Sequence, residues 1–91
     1  MIKRTKIVAT LGPATDDART LEKLLKAGLD VARLNYSHGN QDERSKRIQD
    51  IRRLARGLGK EITVIADLQG PKIRICQFKE SSVTLKENAH F

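Results

Sequence analysis

Aromatic side chains are nearly missing from this sequence: Tyr36, Phe78 and Phe91 are the whole set, and there is no tryptophan. Aromatics supply much of the buried area of small cores, so a large self-contained core is not expected of 91 residues that lack them. Length alone leaves room for one small domain at most. Cysteine is limited to Cys76, which excludes an internal disulfide and any zinc site built from several thiolates, and agrees with a reducing compartment. Long apolar runs are absent too. The longest are Ile7 to Ala9 and Val64 to Ala66, far below the roughly 18 residues that suggest a bilayer span. The basic start MIKRTK is not followed by an apolar stretch of about 7–15 residues, so no secretory signal is expected and the chain is assigned to the cytoplasm. Acidic residues are the minority charge, 11 against 18 basic ones, for a net charge of +7. Such an excess raises the question of phosphate or nucleic-acid ligands.

What is present is organised by periodicity. Lys6 to Leu11 is almost continuously apolar and stops at Gly12-Pro13, as a strand buried on both faces would. Thr15, Asp16 and Asp17 offer capping oxygens, and Ala18, Leu21, Leu24 and Leu25 follow at helical spacing up to Gly28. Asp30 to Leu34 reads as a second strand, ended by the polar cluster Asn35 to Asn40. Ile48, Ile51, Leu54, Ala55 and Leu58 form the stripe of a second helix ending near Gly57 and Gly59, and Glu61 to Leu68 reads as a third strand ended by Gly70-Pro71. The order β-α-β-α-β with apolar strands predicts an α/β fold with a parallel sheet, right-handed crossovers and helices covering it. Ligands then gather where the strands end, at the segments starting with Leu11, Asn35 and Asp67. From Lys72 the pattern changes. Ile73 to Phe78 and Val83 to Leu85 predict a β-hairpin that opens a second module, 72–91, inside which the chain is expected to stop.

Three features could carry chemistry. In RLNYSHG, Arg33 to Gly39, Arg33 is suited to grip phosphate with paired donors, while Asn35 and Ser37 could aim oxygens at a cation; alternatively, Asn35, Ser37 and Gly39 make a turn and cap the second helix. In ADLQGPKIR, Ala66 to Arg74, Asp67 could add a carboxylate to the same site, or cap a turn at Gly70-Pro71 with Lys72 and Arg74 as plain surface charges. The third is the basic second helix with Arg44, Lys46, Arg47, Arg52, Arg53 and Arg56. These positions lie off the apolar stripe, as on a solvated outer face, and no aromatic interleaving accompanies them, so nucleic-acid binding is not expected. No GxGxxG or GxxxxGK[ST] pattern occurs.

RTKIVATLGPAT at 4–15, VARLNYSHG at 31–39 and IADLQGPKIR at 65–74 together resemble the N-terminal part of the pyruvate kinase family, in order and separation. The resemblance implies that residues 1–71 are the first β-α-β-α-β part of a (β/α)8 TIM barrel. Residues 72–91 then begin the small all-β lid that interrupts it. It implies transfer of a phosphoryl group from phosphoenolpyruvate to ADP in glycolysis, by a cytoplasmic homotetramer that uses Mg2+, with no nucleic-acid or membrane partner. By resemblance Arg33 contacts the transferring phosphate, and Asn35, Ser37, His38 and Arg74 lie on the nucleotide side. Asn35, Ser37, Asp67 and the Leu68 carbonyl match the ligands of a monovalent cation such as K+. Lys72 stands where potassium-dependent members carry Glu, as in a bacterial branch whose lysine ammonium takes the place of potassium. The ligands of Mg2+ lie on later strands, so the 91 residues alone are expected to be inactive. The competing reading is a small basic phosphate- or nucleic-acid-binding module.

Overall fold

The structure, a computed structural model, describes residues 3–90. Strand β1 (Ile7–Thr10), a 3-10 turn (Pro13–Thr15), helix α1 (Ala18–Ala27), strand β2 (Leu29–Asn35), helix α2 (Gln41–Gly57) and strand β3 (Thr63–Asp67) follow one another. Each expected element of the first 67 residues is there, with ends moved by one or two positions except that α2 starts at Gln41, well before its apolar stripe.

Local chemistry sets the boundaries. Asp17 caps α1 by accepting from the Thr20 amide at 3.1 Å. Gly28 ends the helix in the left-handed region, φ 116°, where its own N–H is bonded to the carbonyls of Leu24 and Leu25. At α2, Asn40 and Glu43 make a reciprocal capping box: Asn40 Oδ1 accepts from the Glu43 amide at 2.9 Å, and Glu43 Oε2 from the Asn40 amide at 3.3 Å.

The three strands lie parallel in the order β1-β2-β3. Pairing of β1 with β2 slips between Ile7 and Val8, which oppose Leu29 and Val31 and skip Asp30. Asp30 repairs the slip, its carboxylate accepting the Ile7 N–H at 2.8 Å and pairing with Lys3. Beside the Lys3 ammonium and that amide, the Asp30 carboxyl is held below its ordinary pKa.

Both helices pack on one face of the sheet, around Leu11, Leu21, Leu25, Leu29, Ala32, Leu34, Ile51 and Ala55. The other face carries Thr10, Arg33, Ile65, Asn35 and Asp67, which the parallel register lines up from strand to strand. Among the described residues nothing covers that face, and Val8 and Ile65 remain 53% and 42% exposed. The strands are therefore buried on one side only, not on both: three strands make an open sheet, whose second side needs further elements to close over it.

The hairpin expected over 73–85 is absent; among the described residues no strand follows Asp67. Its turn is present, with the Ser81 amide bonded to the Phe78 carbonyl at 3.2 Å, but the flanks do not pair. Ile73, Ile75, Val83 and Leu85 all face solvent. A lone two-stranded hairpin is marginal unless its apolar face packs on something, and these four apolar side chains stay exposed. Cys76 is exposed in the same segment.

Candidate functional site at the carboxyl ends of the strands

Arg33 reaches across all three strands. Its Nη1 donates to Thr10 Oγ1 of β1 at 2.9 Å, and its Nε and Nη2 both donate to the Asp67 carboxylate of β3, the former at 3.1 Å. Braced in this way and one-third exposed, the guanidinium uses three of its five N–H donors. Two donors remain for an incoming anion. Arg33 and Asp67 are thus brought together as an ion pair through Asp67 Oδ2.

Asn35 and Asp67 are direct register partners. The ladder continues past them through the Tyr36 N–H, which donates to the Asp67 carbonyl at 2.9 Å. The turn alternative for Asn35 is realised: its Oδ1 accepts from the Ser37 amide at 3.0 Å and its carbonyl from the His38 amide at 3.3 Å. A carboxamide oxygen has two lone pairs, so the turn leaves one for another ligand. Ser37 is half-buried in this turn and His38 exposed at its end. Leu68, Lys72 and Arg74 lie in the segment after β3, exposed. No hydrogen bond or ion pair brings Lys72 or Arg74 to the other site residues.

Beside Asn35 opens a cavity of about 400 Å3 between the end of β1 with the loop that follows it (Thr10, Gly12, Pro13) and the His38-Gly39 turn. Helix α2 holds both walls. Arg44 Nη1 donates to the carbonyls of His38 and Gly39 at 2.9 and 3.2 Å, and its guanidinium carbon stands 4.4 Å from the centre of the Tyr36 ring. Its Nε is buried with no hydrogen-bond partner. Gly39 adopts φ +73°, and a Cβ there would meet Glu43 Oε2 at 2.8 Å. Arg47, one turn on, forms a two-pronged pair with Asp16 at 2.6 and 2.9 Å. This guanidinium holds the Asp16 carboxyl below its ordinary pKa, and Asp16 in turn raises that of Arg47.

Placing Arg44 and Arg47 on a solvated outer face was therefore mistaken. The signal was available: Arg44 and Arg47 precede Ile48 and Ile51 at helical spacing and prolong the inward stripe. Sequence reasoning also passed over Thr10, whose only mark is its place at the end of β1. Lys46, Arg52, Arg53 and Arg56 are exposed as expected, with Lys46 and Arg53 paired to Asp50. Among the described residues, no group of three His, Cys, Asp or Glu side chains is placed to hold a metal ion. Nor is any helix there long and apolar enough to cross a membrane.

A sequence model described as pyruvate kinase, barrel domain, matches residues 2–91. The chain belongs to the pyruvate kinase family. A pyruvate kinase of Buchnera aphidicola subsp. Schizaphis graminum is 50% identical over 90 residues, 99% of this chain and 19% of its own length. Pyruvate kinase II of Salmonella typhimurium is 49% identical over 84 residues, 92% of this chain and 18% of its own. Among solved structures, a pyruvate kinase from Cryptosporidium parvum superposes with a TM-score of 0.70 at 35% identity, over 74% of this chain and 14% of that one. The chain thus spans about a fifth of the curated pyruvate kinases it matches, and corresponds to their N-terminal segment. The α/β fold with its parallel sheet agrees with this membership. The matched range includes both sides of the boundary expected at Pro71.

Proposed function

We propose that these residues are the first three strands of a pyruvate kinase barrel and supply the phosphate-facing part of a site that moves a phosphoryl group from phosphoenolpyruvate to ADP. The observation that carries this reading is the arrangement of Arg33. A guanidinium braced by Thr10 and Asp67 at the strand ends, with donors to spare, suits the equatorial oxygens of a transferring phosphoryl group. Such transfer depends chiefly on positioning and charge neutralisation, and a fixed guanidinium provides both. In this reading residues 72–91 begin the lid, the enzyme is a cytoplasmic homotetramer, and His38, Asn35, Ser37 and Arg74 lie on the nucleotide side. The cavity beside Asn35 would receive part of that nucleotide.

The residues present do not fit Mg2+, because Asp67 is the one carboxylate at the strand ends and, among the described residues, no group of three His, Cys, Asp or Glu side chains is placed to hold a metal ion. Its ligands are assigned to the rest of the barrel, and the 91 residues alone are expected to form no pyruvate. The donor set does suit a monovalent cation: Asn35 Oδ1, the Ser37 hydroxyl, the Asp67 carboxylate and the Leu68 carbonyl are all hard oxygens. Lys72, five residues beyond Asp67, would bring a tethered ammonium to that position and make free potassium dispensable.

The test is pyruvate formation by the full-length enzyme in sodium and in potassium buffers of equal ionic strength. Equal rates are expected, with Lys72→Glu restoring stimulation by potassium. A wild-type enzyme strongly stimulated by potassium would overturn the role given to Lys72. An enzyme that makes no pyruvate in either buffer would overturn the phosphoryl-transfer reading itself.

A further inference from the structure

The cavity beside Asn35 has two walls from different parts of the chain, and no backbone hydrogen bond joins them across it. The ladder between β1 and β2 ends where the Leu11 N–H donates to the Arg33 carbonyl at 2.9 Å. Beyond it the chain turns through Gly12 to Thr15, tied only to itself: the Thr15 amide donates to the Gly12 carbonyl, and the Thr15 hydroxyl closes the same turn at 3.0 Å. Among the described residues, the Asp16–Arg47 pair is the hydrogen-bonded link between this turn and α2. The pair joins residues 31 positions apart, and the Arg47 side chain is only 11% exposed. A guanidinium so placed is costly without its counter-charge. On the same helix, one turn earlier, Arg44 holds the opposite wall by the His38 and Gly39 carbonyls.

We propose that Arg47 and Asp16 are positioning residues for nucleotide binding: a two-pronged clamp that holds the Gly12–Thr15 turn against α2 and so sets the width of the cavity facing His38 and Gly39. Arg47 also lines the cavity, whereas Asp16 does not and acts only through the wall it helps to hold, so that Asp16→Asn reads the position of the wall alone. The clamp is separate from the Arg33 site, which is braced by Thr10 and Asp67 and does not depend on Asp16. Its loss therefore loosens the nucleotide side and leaves the phosphoenolpyruvate side in place. This inference rests on the phosphoryl-transfer reading above, from which it takes the identity of the ligand.

The experiment uses the full-length enzyme with Arg47→Met, Arg47→Lys, Asp16→Asn and the charge-reversed double variant Asp16→Arg/Arg47→Asp. Two readouts are taken, steady-state kinetics and amide hydrogen exchange without ligand. In Arg47→Met and Asp16→Asn the KM for ADP is expected to rise about tenfold while kcat and the KM for phosphoenolpyruvate stay within about twofold, since misplacing a positioning group by an ångström can cost up to about a hundredfold. The double variant brings the KM for ADP back to within about threefold of wild type, and Arg47→Lys, which lacks the fork, recovers less. Exchange at the Thr15 and Asp16 amides speeds up by about tenfold or more in the single variants, while the Tyr36 amide is unchanged. An unaltered KM for ADP, an equal rise in both KM values, or unaltered exchange at Thr15 in a folded variant would overturn the proposal. If the wild-type enzyme forms no pyruvate, the functional reading has failed on its own account. The exchange pattern then still decides whether the pair holds the turn: Thr15 faster with Tyr36 unchanged upholds the clamp, and no change at Thr15 removes it.

Discussion

Along β2, two kinds of residue alternate. Ala32 and Leu34 are 0% and 1% exposed and sit in the core beneath the helices. Arg33 and Asn35, their neighbours in sequence, lie on the uncovered face and engage Thr10, Asp67 and Ser37. Because side chains alternate across a strand, seven residues serve two purposes that hardly interfere. One face holds the element in place, and the other presents polar groups where the strands end. The candidate site is thus carried on a strand, and a strand aims a guanidinium more tightly than a loop does.

The strongest way to break this division is to attack the helix-side face. Ile51 is fully buried and is among the largest side chains in a core of eight residues. In the full-length protein, Ile51→Ala should destabilise the fold by about 2–5 kcal/mol, seen as a lower urea midpoint. Urea titration followed by helical circular dichroism measures it. A loss under about 1 kcal/mol would mean that the core does not hold the sheet, since truncation of a packed residue always removes at least its transfer energy.

The opposite face should answer in the opposite sense. In the full-length enzyme, Arg33→Met is expected to lower kcat/KM for phosphoenolpyruvate by about a hundred- to a thousandfold. Its stability should change by less than about 1 kcal/mol, as partly exposed ion pairs contribute little. Lysine at the same position should rescue little, because its ammonium lacks the planar fork that engages Thr10 and Asp67 and still leaves two N–H groups for an anion. If Arg33→Met unfolds the protein, the two faces are not separable.

The same alternation explains what could be read from sequence. The βαβαβ order was legible because each element has its own period and its own stop: Gly12-Pro13 after β1, Gly28 after α1, Gly70-Pro71 after β3. Arg33, Asn35 and Asp67 of the candidate site stood out in the sequence as the odd polar residues at strand ends, and the fold brings them to one face of the sheet. Partners across the fold were not. Nothing local to Asp16 indicates that Arg47 will meet it 31 residues later, and nothing local to Thr10 marks it as a brace for Arg33. The pairing of a hairpin over 73–85 was misread for a related reason. Ile73, Ile75, Val83 and Leu85 have the right local preference for strands, but that preference is satisfied only when a partner surface is present.

The smallest expected effect sharpens the comparison at the start of the central strand, where Asp30 belongs to neither purpose and repairs the β1–β2 register. Its carboxyl is held below the ordinary value first by Lys3 and then by the Ile7 amide. A depressed folded-state pKa means that the ionised form is bound more strongly in the folded chain. The resulting stability is present above the ordinary carboxylate pKa of about 3.9 and is lost as pH falls through the lower folded value. Asp30→Asn keeps an acceptor for the Ile7 amide and removes the charge. Its urea midpoint should therefore lie slightly below wild type near neutral pH, and the gap should shrink as the carboxyl of the wild type becomes protonated. Added salt should shrink it as well, since the pair with Lys3 is solvent-exposed. A gap that ignores both pH and salt would assign the role of Asp30 to hydrogen-bond geometry alone.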